Sequence, residues 1–151
     1  MKRKLLFLLL ALCAGRVLAE TPPIVVTDAS GTRITLPVPA KRIVSLAPHI
    51  TELVFAAGAG DRMVGNVDYG DYPTAAKALP TVGGYSRFDL EAVVALRPDL
   101  VLGWESGNSP ASISRLRSMG LTVHLSQTNR IEDIADELEQ IGKLAGTEKT
   151  A

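Results

Sequence analysis

From Lys41 onward, apolar runs too short for helices alternate with longer stretches of helical character, and this alternation restricts the possible folds more than any other feature. Arg42-Ile-Val-Ser-Leu46 reads as a short buried strand, Pro48 to Ala57 as a helix ended by Gly58, and Met63 to Val67 as the next strand. Asp89 to Leu96 reads as a helix stopped before Pro98, and Leu100 to Leu102 as an apolar strand. Ser109 supplies an N-cap and Pro110 a proline at the first helical position, opening a helix that Gly120 closes before a strand from Thr122 to Leu125. In the last helix Ile131, Ile134, Leu138, Ile141 and Leu144 recur at helical spacing up to Gly146, with Asn129 and Glu132 placed as a capping box. Its acidic residues, Glu132, Asp133, Asp136, Glu137 and Glu139, are expected on a solvated face. Repeated strand, helix, strand units with short connections imply an α/β domain, a parallel sheet flanked by helices.

Upstream, Ile24 to Thr27 and Thr32 to Leu36 flank Asp28-Ala-Ser-Gly31 and read as a β-hairpin, after which Pro37 and Pro39 stop pairing. Residues 20–40 are therefore expected as a hairpin arm and 41–146 as the α/β lobe. A chain of 151 residues has room for one such lobe with a core, not for two. Residues 147–151 read as the start of a further helix, and the chain as incomplete.

Residues 1–19 have the layout of a secretory signal peptide. Lys2, Arg3 and Lys4 precede an apolar run from Leu5 to Ala14, and Val17-Leu18-Ala19 makes a small-residue cleavage site before Glu20. The run is about half the roughly 20 residues that span a bilayer, so a permanent transmembrane helix is not expected. Cys13, the one cysteine, sits in this segment. Leu10-Ala11-Leu12-Cys13 only faintly resembles a lipoprotein processing box, because Leu12 is bulky where such boxes take a small residue. Cleavage after Ala19 removes thiol chemistry, disulfides and thiolate metal ligation together. It also removes Lys2, Arg3, Lys4 and Arg16, so that 12 of the 16 basic side chains remain against 16 acidic ones. A mildly acidic surface argues against nucleic acid as a partner.

In parallel α/β sheets ligands sit beyond the carboxyl ends of the strands. The loops after Leu46, Val67 and Gly103 then lie on the functional edge, and they carry Pro48 with His49, Asp68 with Tyr69, and Trp104. All three tyrosines and the sole tryptophan fall between Val67 and Trp104, in expected loops rather than core runs. Aromatic side chains give wide contact at little rotamer entropy, which suits a flat ligand. Tyr72, beside Pro73, reads instead as loop structure.

Catalysis finds little support. His49 and His124 are the two histidines, and His124, within an apolar run, reads as a packed residue. His49 and Glu52 share a helix face but do not make the three or four ligands of a metal site. Ser45, Ser86 and Ser106 stand in no Gly-x-Ser-x-Gly turn, and Gly58-Ala-Gly60 and Gly83-Gly84 are too short for phosphate loops. No enzyme, resident cofactor or metal is expected.

Four segments carry a family resemblance: Pro39-Ala-Lys-Arg-Ile-Val-Ser-Leu-Ala-Pro48, Thr51-Glu-Leu-Val-Phe-Ala-Ala-Gly58, Asp68-Tyr-Gly-Asp-Tyr-Pro73 and Asp89-Leu-Glu-Ala-Val-Val-Ala-Leu-Arg-Pro-Asp-Leu-Val-Leu-Gly-Trp104. Together they resemble the N-terminal, Rossmann-like lobe of class III (TroA-like) periplasmic substrate-binding proteins, which serve ABC importers of cobalamin, haem and ferric siderophores. Asp68-Tyr69, Asp71-Tyr72-Pro73, Tyr85 before Asp89-Leu90-Glu91, and Gly103-Trp104 followed by Gly107-Asn108 are most similar to the cobalamin (vitamin B12) binders. Tyr85 stands where that subgroup is expected to carry tryptophan. The resemblance implies a periplasmic, non-enzymatic monomer whose transported ligand is cobalamin, held on this side against Tyr69, Tyr85 and Trp104 in a cleft between two lobes; residues 147–151 would begin the interlobe helix, and without the second lobe this one is expected to bind weakly. It also implies an ABC permease as partner, met at the membrane through Glu91. Haem is the nearest alternative, with the Tyr69 phenol or the His49 ring as iron ligand; a ferric siderophore is the other binding alternative, and a small exported enzyme on the same α/β scaffold a more distant one.

Overall fold

The structure is a computed structural model that describes residues 22–151; the expected signal peptide and Cys13 lie outside the described residues. Strands β1 (Ile24–Thr27) and β2 (Arg33–Leu36) pair antiparallel, with Val26 opposite Ile34. They are followed by β3 (Ile43–Ser45), α1 (Pro48–Ala56), β4 (Met63–Gly65), β5 (Gly83–Gly84), β6 (Arg87–Phe88), α2 (Leu90–Ala95), β7 (Leu100–Trp104), α3 (Pro110–Ser118), β8 (Val123–Ser126) and α4 (Ile131–Ala145). Strands β3, β4, β7 and β8 form one parallel sheet in the order β4-β3-β7-β8, the α/β architecture that the alternation implies.

Side chains alternate across a strand, so near-continuous apolar runs require cover on both faces. Ile43, Leu100 and Leu102 join a buried cluster with Ile50 and Val54 of α1 and Ile141 and Leu144 of α4. Val44, Val101, Val123 and Leu125 join the opposite cluster with Val93 of α2 and Ile113 and Leu116 of α3. Chain order reverses at the middle of the sheet. From β3 the chain crosses through α1 to β4 on one side, while β7 and then β8 lie on the other. At such a reversal the crossovers leave in opposite directions and a crevice opens at the carboxyl ends of the two central strands, here β3 and β7.

The β1–β2 hairpin packs into the core rather than standing apart. Val26, Ile34 and Leu36 belong to the cluster under α4. Its turn also blunts the sheet's free edge at β8, which would otherwise offer unpaired backbone groups. The Ala29 N–H donates to Leu125 O at 2.9 Å, and Asp28 Oδ2 accepts the Leu125 N–H at 3.2 Å. The same buried carboxylate accepts from the Ser30 and Thr32 amides within the turn and pairs with Arg117 of α3 at 3.1 Å.

Helix α4 departs from its sequence reading in three ways. The N-terminal cap comes from Asp133, whose Oδ2 accepts the Asn129 and Arg130 N–H groups at 2.9 Å, rather than from Asn129 with Glu132. These backbone bonds hold the Asp133 carboxyl below its ordinary value. Ile131 and Ile134 are 84% and 41% exposed, so the apolar stripe enters the core only from Leu138 onward. Glu137, expected in solvent, is buried against His124, with Oε1 3.2 Å from Nε2. His124 is the packed residue anticipated for it, with no exposure at all.

Because Asp28 satisfies three amides and a guanidinium from one buried position, Asp28→Ala is expected to lower the unfolding free energy by about 2–3 kcal/mol. Asp28→Asn, which keeps a carbonyl oxygen, should cost less. Urea denaturation measures both, and an alanine cost within error of zero would contradict this role for the turn.

Candidate functional site

Three aromatic rings meet at the crevice between β3 and β7. Period-two alternation along β7 sends Leu100, Leu102 and Trp104 toward the α1 side, so the half-buried Trp104 indole emerges where the strand ends, against the core that α1 covers. The strand β3 leads through Leu46 and Ala47 into α1, whose first residues are Pro48 and His49. This brings the His49 ring edge-on to the indole, with centroids 5.1 Å apart at 84°. Tyr85 comes from a third segment, the two-residue tip of the β5–β6 hairpin, and lies 5.7 Å from Trp104 at 48°. Edge-to-face and tilted packing at these separations is favourable between aromatic rings, so the three hold one another while Tyr85 remains 43% exposed.

The indole's position depends on a missing side chain. A Cβ at Gly107 would lie 1.8 Å from the six-membered ring of Trp104, so only glycine admits the ring where it rests. Asn108 closes the same turn: its Oδ1 accepts the Trp104 N–H at 2.6 Å, and its own N–H returns to Trp104 O at 2.9 Å. In the sequence Gly107 and Asn108 enter only as part of the family resemblance, with no role of their own; the further signal is a Gly-Asn pair between the end of a strand and the N-cap Ser109.

The other expected residues lie apart from this cluster. Asp68 is exposed and tied to the β5–β6 hairpin, accepting from the Thr81 hydroxyl at 2.8 Å and donating its N–H to Gly83 O at 2.8 Å. Tyr69 is 87% exposed and joins neither of the two ring contacts found among the described residues. Its φ of +65° places it in the left-handed region, which costs a non-glycine residue about 1 kcal/mol. The turn is held by the Gly70 N–H on Val67 O, and by the buried Asn66 carboxamide, which donates to Gly70 O. Tyr72 lies in a loop, as expected for it, and is 67% exposed, so it fills no interior space. Glu91 is exposed in the first turn of α2. The Asp89 side chain caps that helix, accepting from the Glu91 and Ala92 amides at 2.8 and 3.2 Å, and among the described residues no cation pairs with Glu91.

Beneath the rings the α1 face of the sheet turns polar. Ser45 and Thr51 share a buried hydrogen bond of 2.6 Å, and the His124–Glu137 pair lies on the same side. His49 feels both environments. Burial pushes its pKa below the ordinary histidine value, opposed in part by the negative charges of Glu137 and Glu52. At neutral pH the ring is therefore uncharged, an apolar flank for the indole with a nitrogen lone pair in hand. Among the described residues no group of three or more His, Cys, Asp and Glu could hold a metal ion, and no helix is long and apolar enough to cross a membrane.

Residues 43–151 match the family model described as periplasmic binding protein. Over 105 residues the chain is 43% identical to a vitamin B12-binding protein of Vibrio cholerae, covering 70% of this chain and 38% of that one. The chain thus spans about two fifths of the length of the curated relatives it matches. Among solved structures, the periplasmic vitamin B12 binding protein of Vibrio cholerae superposes with a TM-score of 0.71 at 39% identity, over 74% of this chain and 44% of that one. A periplasmic heme binding protein from Pseudomonas aeruginosa reaches 0.69 at 29% identity, over 74% and 40%.

Protonating His49 places a cation against the sole indole, and imidazolium quenches indole emission. Tryptophan fluorescence is therefore expected to fall on acidification with a midpoint below the usual histidine value of about 6.5, and His49→Gln should abolish the step. Gly107→Ala is expected to displace the indole and red-shift its emission in a chain that still unfolds cooperatively. Emission unchanged by Gly107→Ala would contradict the packing described.

Proposed function

The chain belongs to the periplasmic binding protein family, and on that premise we propose that this lobe captures cobalamin in the periplasm and presents it to an ABC importer without chemical change. The observation that carries the reading is the convergence of Tyr85, Trp104 and His49 at the reversal between β3 and β7. A corrin ring is broad and nearly flat, and a face of rings already packed on one another loses little freedom when it is covered. The vitamin B12-binding relatives support this ligand over others. Tyr69, exposed at a strained turn on the same sheet edge, extends the face, and Pro48 adjoins His49 at the start of α1. Asp68 supports the Tyr85 hairpin more than it meets ligand, since its carboxylate already binds Thr81. Export by the N-terminal signal segment and the absence of a resident cofactor belong to the same proposal.

Glu91 serves a different surface. With Asp89 already capping α2, the Glu91 charge is free to meet a cationic site on the permease. Haem is the second reading, favoured by the heme-binding structural relative and by the neutral His49 ring nitrogen at the site.

Titration with cyanocobalamin, followed by quenching of the sole tryptophan, tests the proposal. Weak but saturable quenching is expected, since the chain spans about two fifths of its relatives' length, and it should be weakened about tenfold or more by Trp104→Leu and by Tyr85→Ala, as for central aromatic contacts elsewhere. No cobalamin binding, together with a haem absorbance band lost in His49→Ala or Tyr69→Phe, would replace cobalamin by haem. Glu91→Ala should leave the affinity unchanged and reduce co-purification with the importer; a loss of affinity instead would move Glu91 into the ligand site.

A further inference from the structure

We propose that Asn108 is the positioning residue of the ligand face, fixing Tyr85 and Trp104 relative to each other through one buried carboxamide. Asn108 is only 4% exposed and uses its side chain in three directions. Nδ2 donates to Leu46 O at 2.9 Å, just past the end of β3, and to Tyr85 O at 2.7 Å, at the tip of the β5–β6 hairpin. Oδ1 accepts the Trp104 N–H at 2.6 Å, at the end of β7. One side chain thus ties together the three segments that build the crevice, across sequence separations of 62 and 23 residues.

No other side chain of this size does the same. The position needs two donors and an acceptor on one planar group, which is the inventory of a carboxamide. Aspartate would turn an acceptor toward the Leu46 and Tyr85 carbonyls, leucine would leave all three backbone groups unpaired, and glutamine is one methylene too long for a closed site. The absence of a side chain at Gly103 provides room, since a Cβ there would come within 3.1 Å of Asn108 Oδ1. The Tyr85 tip has little else to place it. Its hairpin is two residues long on each strand and is anchored at its base, through Asp68 and Gly83, rather than at the tip. The spacing of the Tyr85 and Trp104 backbones, from which the two rings reach each other at 5.7 Å, is therefore set largely by Asn108.

The inference rests on the reading of Tyr85 and Trp104 as the ligand face, and its test separates the two. Near-ultraviolet circular dichroism of the ligand-free chain reports on the surroundings of its one tryptophan. Asn108→Ala is expected to reduce the Trp104 band as far as Tyr85→Ala does, with no further loss when the two are combined. Leu116→Ala, a core deletion in α3, should lower the melting temperature and leave the band intact. Where the chain binds cyanocobalamin, Asn108→Ala should weaken it about tenfold, and only about twofold in the Tyr85→Ala background, because a displaced ring loses its contact. Should Asn108→Ala not fold, Asn108→Asp, which keeps the acceptor for the Trp104 amide, supplies the same comparison. A full Trp104 band in a destabilised Asn108 variant, or affinity losses that add, would overturn the proposal. If the unsubstituted chain binds no cyanocobalamin, the cobalamin reading fails and the dichroism alone decides the role of Asn108.

Discussion

The site depends on the reversal of chain order between β3 and β7. Both strands are buried on both faces, so nothing along their length can meet a ligand, and only their carboxyl ends remain open. The crossover through α1 leaves to one side and the run toward β8 to the other, which keeps that opening clear. Everything that approaches it does so as a continuation of these two strands or from the hairpin beside them. A parallel sheet of this kind therefore determines where a ligand can sit before any side chain determines which ligand it is.

Within that opening the selective features are polar as much as aromatic. Trp104 owes its place to the bare Cα of Gly107, and Tyr85 to a carboxamide from a neighbouring loop. The Asn66 and Asn108 side chains each satisfy backbone carbonyls in the segments beyond the strand ends, Gly70 O for Asn66 and Leu46 O and Tyr85 O for Asn108. Buried amides that complete such bonds hold loops rigidly, because each group released would be left unpaired in a dry environment. The proposed flat face is thus assembled within this lobe, held by contacts among its own residues.

Much of this lobe is legible in the sequence because its signals are local. Ser109-Pro110 opens α3, Gly58 and Gly146 stand in left-handed conformations at helix ends, and the apolar runs become the sheet. The placement of Pro48, His49 and Trp104 on one edge follows from strand direction alone. What escaped is what depends on partners distant in sequence. Glu137 looks like one more acid on a solvated helix, and its burial follows from His124 on a strand 13 residues away. A hairpin with two-residue strands at Gly83-Gly84 has no periodicity to read, yet it carries Tyr85. Asn108 is one residue of a motif, with no role assigned, until three segments close around it. The exposed Ile131 shows the converse, a regular apolar spacing that begins about two turns before the core does.

The central claim is that the rings gathered at the β3–β7 opening are the surface a corrinoid lies against. Nuclear Overhauser contacts between cyanocobalamin and the isotopically labelled chain test it directly, since corrin methyl groups and indole protons are well separated in the spectrum. The account predicts contacts from corrin methyls to the Trp104 and Tyr85 rings, with none to residues at the amino ends of the strands such as Lys41 or Asp99. Contacts confined to the opposite end of the sheet, or to the acidic surface of α4, would contradict it.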